Sequence, residues 1–305
     1  MQGIELCELF YKEHGEQMLR QFPDVLPYLA AGVVGGGSEC LGYDDSLSQD
    51  HDFEPGFCIF LPGEDLVTAQ DAFQLERAYA KLPNEFMGYR INKISKYGVI
   101  RIEDFLRQRI GGYPLPLNVS LYIDDQYFLE VTSGKLFMDN LGTLTQIRQD
   151  LAHLPEDVRL KKLVGNLIVM HQAGQYNYER CIARGDTGAA QLSLYEFVKA
   201  AMHCIFLLKK RYMPYYKWSF RALRECGVPE NICTGLESLI SAGNTDNEYM
   251  HKLITIRMIS DFIVYDLIVQ GLSKNPTNCM DIQAQIVNER IKDNNIRNMH
   301  LMCAV

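Results

Sequence analysis

Residues 35–55 read GGGSECLGYDDSLSQDHDFEP, a glycine-rich turn that ends in Ser38 and is followed by two aspartates two positions apart. Side chains two apart in an extended strand project from the same face, so Asp50 and Asp52 are expected to point together while His51 points away. The N–H groups of the turn and the Ser38 hydroxyl suit phosphate oxygens. Two carboxylates suit one or two Mg²⁺ ions that also bind phosphate. The stretch therefore predicts a site for a magnesium-bound nucleoside triphosphate, with both aspartates as metal ligands.

Composition sets limits on the class of protein. The chain has 305 residues, of which 47% are hydrophobic and 22% charged, which is enough for two domains with their own cores. Its 30 basic and 38 acidic residues give a net charge of −8, which argues against a nucleic-acid-binding role. The nine cysteines show no C-x-x-C spacing and predict reduced thiols rather than a zinc site. With no signal-peptide core and no apolar run long enough for a bilayer, we expect a cytoplasmic protein without a membrane partner.

Strand and helix patterns alternate in the first part of the chain. Apolar runs predict strands at 29–34, 56–61 and 99–102, and helical spacing predicts helices at 4–22, 64–82 and 103–110. Beyond Thr132 the strand signals fade. Helical periodicity there covers 144–154, 159–183, 191–212, 218–226, 247–272 and 280–292. We therefore predict an α+β protein, with a small mixed-sheet domain at 1–132 and an all-helical bundle domain at 133–305.

The glycine turn fits neither of two common phosphate-binding motifs. A dinucleotide-binding fingerprint starting at Gly35 would have Cys40 where its third glycine belongs. A P-loop starting at Gly37 would have Tyr43 and Asp44 where lysine and serine or threonine belong. Both motifs are therefore excluded.

A different signature is present: Gly37 and Ser38, then residues 39–49, then Asp50-x-Asp52. It resembles that of the nucleotidyltransferase superfamily that includes DNA polymerase β and the kanamycin-type antibiotic nucleotidyltransferases. The resemblance implies that Gly37 and Ser38 bind the triphosphate and that the two aspartates bind Mg²⁺. Within the superfamily, the chain resembles a bacterial subfamily described mainly as a domain of unknown function. Further segments that carry this resemblance are 131–151, Arg180, 184–186 and 211–220.

The superfamily usually supplies a third acid from a neighbouring strand, as a general base or metal ligand. In this sequence the strand candidate is VIRI at 99–102, and Glu103 at its end is the predicted third acid. Asp104, Asp124 and Asp125 are the alternatives.

The segment 209–224 carries six basic residues and no acid within an acidic protein. A cation at the β- and γ-phosphates stabilises the leaving pyrophosphate, and Lys217 is the predicted cation. Tyr216 is predicted to stack on the base, with Tyr212 and Trp218 as alternatives, in a loop that follows a helix. The competing interpretations are cations at a helix C-terminus and aromatic residues in a core or domain interface.

The remaining polar feature is Arg184-Gly185-Asp186. Arg184 and Asp186 are predicted to serve the same cleft, and the competing interpretation is a helix cap with an ion pair.

Two function classes follow from these residues. The first is a nucleotidyltransferase that moves a nucleoside monophosphate, AMP from ATP, to a hydroxyl of a small molecule or protein and releases pyrophosphate. RNA is the least favoured acceptor because the chain is acidic. The second is a catalytically weak nucleotide-binding module that regulates a partner, which the lack of an obvious third acid favours.

Overall fold

The structure, a computed structural model, describes residues 1–45, 53–91 and 96–305. In chain order, the helices of these residues are α1 Gly3–Phe10, α2 Glu16–Leu19, α3 Ser38–Leu41, α4 Ala69–Tyr79, α5 Ile102–Ile110, α6 Leu117–Ser120, α7 Asp125–Thr132, α8 Thr143–Asp150, α9 Glu156–Met170, α10 Tyr178–Ala183, α11 Thr187–Leu208, α12 Tyr216–Glu225, α13 Glu230–Ser241, α14 Asp246–Val269, α15 Met280–Asn288 and α16 Asn294–Asn298. The strands are β1 Ala30–Val33, β2 Cys58–Leu61, β3 Glu85–Phe86, β4 Tyr89–Arg90, β5 Gly98–Arg101 and β6 Lys135–Asp139.

The chain forms two compact units. The first consists of Met1–Leu115 and Asp124–Ala152, and the second of Pro116–Ile123 and His153–Val305. The units differ from the predicted domains, because the boundary predicted after residue 132 falls inside the first unit.

Among the described residues, four strands of the first unit form a mixed sheet in the order β5-β2-β1-β6. β1 runs antiparallel to β2 and β6, whereas β2 and β5 are parallel. Ala30 lies opposite Phe60 on one side and Asp139 on the other. All residues of β1 are buried, as its run of small apolar side chains predicts. β1 thus ends at Val33, shortly before the glycine-rich turn begins at Gly35.

The side chains of β2 alternate between the two faces of the sheet, and a helix packs on each face. Ile59 lies in a core with Leu6 and Phe10 of α1. Phe60 points the other way, and the centre of its ring lies 5.1 Å from that of Phe105 in α5. The predicted helix at 4–22 forms α1, a π-helical segment and α2 in unbroken succession.

One prediction for the first unit was wrong: a strand, β6, exists beyond Thr132. It lies at the edge of the sheet and its residues are only partly buried, so its sequence KLFMD lacks the continuous apolar run of a central strand. Its position is fixed by a close approach to β1, where a Cβ added to Gly32 would lie 2.4 Å from the carbonyl oxygen of Lys135. The strand can therefore be identified from tertiary packing but not from its own pattern.

The regular elements of the second unit are all helices in its described residues, which confirms the predicted combination of a small mixed sheet and a helical part. α9 packs against α11 and α15 and is buried on nearly all sides. The sequence analysis did not assign α13, although Ile232, Leu236 and Leu239 have helical spacing. In the described part of the chain, every helix is too short or too polar to cross a membrane.

A buried lysine ties the C-terminal segment to α9. The Lys161 side chain is fully buried, and its ammonium donates to Asn288 Oδ1 at 3.0 Å and to the carbonyl oxygen of Met299 at 2.8 Å. Burial lowers the pKa of Lys161 below its ordinary value. Its acceptors are neutral oxygens, which offset the cost of desolvating the charge.

Candidate functional site

The two predicted metal ligands, Asp50 and Asp52, lie outside the described residues, and so does His51. Their roles stay predictions. Gly37 and Ser38, predicted to bind the triphosphate, are described and lie where the glycine-rich turn enters α3. The described part of the candidate site consists of the turn and the side chains around it.

The glycine-rich turn is held at both ends by the turn between α7 and β6. The Ser133 hydroxyl donates to the carbonyl oxygen of Gly35 at 2.9 Å. The Gly134 N–H donates to the carbonyl oxygen of Cys40, also at 2.9 Å. Gly35 itself has a φ of +154°, which L-amino acids rarely adopt. The backbone of the turn is thus fixed by a segment far away in sequence.

Arg148 in α8 fixes this supporting segment in turn. Its Nη2 donates to the carbonyl oxygens of Thr132, Ser133 and Gly134 at 2.7, 2.9 and 3.1 Å. Burial lowers the pKa of Arg148 below its ordinary value. The sequence analysis included Arg148 only as part of the 131–151 resemblance and gave it no role, because its carbonyl partners carry no sequence signal.

A cavity of about 670 Å³ opens beside the glycine-rich turn. This volume falls within the range of roughly 300–1,000 Å³ that is typical of small-molecule sites. Residues 35–37 line one side, and Leu61, Val99 and Phe105 supply apolar surface. Its basic side chains are Lys96, Arg101 and Arg109. Backbone, apolar and cationic surfaces therefore meet in one space.

A buried carboxylate lies against the turn inside this cavity. A Cβ added to Gly37 would lie 2.2 Å from both carboxylate oxygens of Glu39, so a side chain at position 37 would require the Glu39 carboxylate to move. Glu39 Oε1 lies 2.6 Å from Lys96 Nζ and accepts a hydrogen bond of 3.5 Å from the Tyr97 hydroxyl. Burial tends to lower the pKa of Lys96, but the charge and hydrogen bond of Glu39 together raise it above its ordinary value. The site thus contains an anion of its own.

The same cluster extends to buried thiols. Cys7 Sγ lies 3.6 Å from the Tyr97 hydroxyl, and burial raises the pKa of Cys7. Burial and the negative charge of Glu39 raise the pKa of Cys40 to about 12. These thiols remain protonated near neutral pH and add apolar volume rather than charge.

The predicted third acid, Glu103, does not line the cavity. It lies in the first turn of α5, its side chain is 77% exposed, and it pairs with Arg107 one helical turn later at 2.5 Å. The other face of α5 is apolar and buried, which directs Glu103 towards solvent. Of the four acids considered for this role, Asp104 borders the cavity.

Lys217 and Tyr216 lie together in the first turn of α12 in the second unit. The predicted loop is therefore shorter than expected, because Tyr216–Glu225 is helical. Lys217 is exposed, with its Nζ 4.8 Å from the centre of the Trp218 ring. One competing interpretation was that these basic residues are cations at a helix C-terminus. It fits Lys209, which follows the last residue of α11. It does not fit Lys217, because the helix dipole disfavours a cation in the first turn.

The Arg184-Gly185-Asp186 segment connects α10 and α11. The Asp186 carboxylate accepts a hydrogen bond of 2.9 Å from the Ala189 N–H and caps α11, as the capping interpretation predicts. Arg184 is exposed. Its predicted contact with a nucleotide stays a prediction.

In the described part of the chain, no group of three or more His, Cys, Asp or Glu side chains is arranged so that it could hold a metal ion. The predicted magnesium site therefore depends on Asp50 and Asp52. Two carboxylates that share the ion with phosphate oxygens and water match the ligand preference of Mg²⁺.

Comparison with known proteins gives two similarities. A family model described as "Domain of unknown function (DUF4037)" matches residues 121–219, which include Arg148 and Lys217 but not the glycine-rich turn. The crystal structure of a nucleotidyltransferase-like protein from Exiguobacterium sibiricum 255-15 is similar over 88% of this chain and 81% of that chain, at 13% identity and a TM-score of 0.40. At that identity and TM-score, the likeness says nothing about what this chain binds. No curated protein matches the sequence.

Proposed function

We propose that this protein is a nucleotidyltransferase that moves AMP from magnesium-bound ATP to a hydroxyl group of a small molecule or protein. One observation carries the proposal: the glycine-rich turn, which precedes Asp50 and Asp52 in the sequence, borders a cavity of about 670 Å³ that contains cationic side chains. A triphosphate needs backbone donors, positive charge and a metal; the turn and the basic side chains of the cavity would supply the first two, and Asp50 and Asp52 would hold the metal.

In the proposed reaction, the acceptor oxygen forms a bond to the α-phosphorus of ATP. The bond from that phosphorus to the oxygen bridging to the β-phosphate breaks, and pyrophosphate leaves with the electron pair. A carboxylate at the start of α5 takes the hydroxyl proton. Glu103 is the predicted group, and its neighbour Asp104 is the one that borders the cavity. Mg²⁺ held by Asp50 and Asp52 would neutralise charge on the phosphate oxygens.

The chain's other contribution is positioning. The N–H groups of residues 35–37 and the Ser38 hydroxyl orient the phosphates, and the contacts from Ser133 and Gly134 keep that backbone rigid. The roles predicted for Lys217, Arg184 and Tyr216, which belong to the second unit, stay predictions.

The transfer itself can be followed with ATP labelled at the α-phosphorus. Incubation with Mg²⁺ and either a metabolite pool or lysate proteins is expected to move the label to an acceptor and to release pyrophosphate. The same assay with the other three ribonucleoside triphosphates tests the base preference. A failure of all four to transfer label to any acceptor would contradict the proposal.

A second candidate is a nucleotide-binding module of low activity that regulates a partner. It is favoured by the buried Glu39 carboxylate beside Gly37, because an anion there competes with phosphate for the same donors. Binding of ATP without transfer, and binding that is independent of Mg²⁺, would favour this alternative.

The competition by Glu39 leads to a prediction. Glu39→Gln removes the negative charge while keeping the shape of the side chain, and Lys96 remains to meet phosphate. We expect ATP to bind about three- to tenfold more tightly, a change of about 1 kcal/mol. Isothermal titration calorimetry measures the change.

Glu16→Gln is the matched control, because Glu16 also pairs with a basic side chain, Arg20 at 3.2 Å, but lies on the surface and does not line the cavity. Its affinity for ATP should equal that of the wild type. Weaker binding by Glu39→Gln would show instead that the carboxylate supports the site.

A further inference from the structure

Arg109, in the last turn of α5, lines the cavity beside the glycine-rich turn. A Cβ added to Gly35 would lie 3.9 Å from Nη2 of Arg109, so the guanidinium lies against the backbone of the turn. The group is stacked on the Phe105 ring, with its Cζ 4.1 Å from the ring centre. Stacking holds the planar guanidinium in place and leaves its edges available for hydrogen bonds.

The hydrogen bonds of this guanidinium are incomplete among the described residues. An arginine has five N–H donors. Nη1 of Arg109 donates to the carbonyl oxygen of Phe105 at 3.4 Å. Nε is buried and has no hydrogen-bond partner in the described part of the chain, since the nearest carboxylate oxygen, Oε2 of Glu130, is 3.7 Å away. A ligand cannot reach the buried Nε, but the two Nη groups carry four of the five donors, and among the described residues only the Phe105 carbonyl oxygen accepts from them. A ligand in the cavity that supplies acceptors can therefore bind this guanidinium through its Nη groups.

The neighbouring acid does not satisfy Arg109. The Glu130 side chain lies over Gly36, where an added Cβ would be 2.8 Å from Oε1. Burial raises the pKa of Glu130, and the charge of Arg109 offsets this only in part. Burial likewise lowers the pKa of Arg109, against the opposing effect of Glu130. Neither charge is fully compensated by the other.

The other two basic side chains of the cavity have strong partners already. Lys96 lies 2.6 Å from Glu39. Arg101 donates to the carbonyl oxygens of Pro62 and Val67 at 2.7 and 3.1 Å. Arg109 is therefore the cavity cation whose donors are best placed to bind an added anion.

We propose that Arg109 binds the terminal phosphates of a polyphosphate chain that lies along the glycine-rich turn. The inference rests on the proposed function for the identity of the nucleotide, but the anion site follows from the geometry of Arg109 itself. A guanidinium binds two phosphate oxygens at once, and the glycine-rich turn, which borders the same cavity, can supply backbone N–H groups to the same polyphosphate chain. The sequence analysis assigned this role to Lys217 and missed Arg109, whose proximity to the turn arises from tertiary packing.

The test compares binding of inorganic tripolyphosphate, ATP and AMP by calorimetry to the full chain and to Arg109→Gln. We expect Arg109→Gln to weaken tripolyphosphate and ATP binding at least about tenfold and to change AMP binding less than about threefold. Arg77→Gln is the matched control, because Arg77 also stacks on a helix phenylalanine, Phe73 at 5.8 Å, but does not line the cavity. It should bind all three ligands as the wild type does.

A second variant keeps the test valid if Arg109→Gln fails to fold. Glu130→Gln retains the guanidinium and removes the competing charge, so tripolyphosphate should bind about threefold more tightly. Wild-type protein that does not bind tripolyphosphate, equal losses for ATP and AMP, or no effect of either variant would overturn the inference. Tripolyphosphate binding that needs Arg109 in a protein that transfers no nucleotide would retain the anion site and refute the proposed function.

Discussion

Asp50→Asn and Asp52→Asn should each lower the rate of nucleotide transfer by at least roughly a thousandfold. In the proposed site each substitution replaces a charged metal ligand with a neutral amide. Metal stabilisation of the transition state is worth several kcal/mol, with about 1.4 kcal/mol for each tenfold change in rate. The relevant measurement is the initial rate of pyrophosphate release at saturating ATP and Mg²⁺. Because the two carboxylates act on the same ion, the double variant should lose little more than either single one.

The control is Asp65→Asn, an exposed aspartate of the same unit that does not line the cavity. Its rate should match that of the wild type. All three variants should unfold at the same denaturant concentration as the wild type, which separates loss of metal binding from loss of the fold. Full activity in both Asp50→Asn and Asp52→Asn would remove the metal assignment.

Gly134→Ala should destabilise the first unit by roughly 4 kcal/mol or more. Gly134 has a φ of +78°, and an added Cβ would lie 2.0 Å from the carbonyl oxygen of Val33, at the end of β1. The atoms that the added Cβ would meet all belong to the backbone, so relief requires β1 and the turn to separate. The substitution therefore disrupts the segment that holds the glycine-rich turn.

Gly142→Ala separates the cost of placing alanine at a positive φ from the cost of the collision. Gly142 also has a positive φ, +70°, but an added Cβ would meet nothing within 4 Å. It should cost only about 1–2 kcal/mol, which is the penalty for an alanine in this conformation. The difference between the two variants measures the collision.

Hydrogen exchange of the β1 and β6 amides is the suitable measurement for both variants, because the single tryptophan, Trp218, belongs to the second unit. Exchange also reports stability strand by strand. If Gly134→Ala and Gly142→Ala lowered protection of β1 equally, the close contact between the turn and β1 would be refuted.

The sequence predicts the centre of the first unit well because its strands carry strong local signals. β1, β2 and β5 lie within or next to the apolar runs predicted at 29–34, 56–61 and 99–102. Thr68 and Asp71 form a capping box that starts α4 later than predicted. β6 was missed although β5, the other edge strand, was predicted: the three apolar residues of KLFMD lie between charged residues and give a weak local signal.

The candidate site is less predictable than the fold because it is assembled from distant segments. Gly37 and Ser38 can be identified from a local pattern. Gly37 lines the cavity, whereas Ser38, the first residue of α3, is not among the residues that line it. Arg109, Arg148 and the pair of Glu39 with Lys96 have no such pattern. Their roles depend on contacts across dozens of residues, which only the fold brings together.

The orientation of a side chain on its helix is another feature that the sequence left open. Glu103 and Asp104 are adjacent in the sequence, yet α5 directs the first towards solvent while the second borders the cavity. A rotation of about 100° per residue separates them on the helix. The two-residue alternation of a strand does not apply to Glu103 and Asp104, because both lie in a helix that begins at Ile102.

The central claim is that the glycine-rich turn and the two aspartates together hold a magnesium-bound nucleoside triphosphate. Calorimetric titration of the wild-type chain with ATP, in Mg²⁺ and then in EDTA, tests it most directly. The account predicts saturable binding at one site in Mg²⁺ and affinity at least about tenfold lower in EDTA. Equal affinity under the two conditions, or no binding in Mg²⁺, would contradict it.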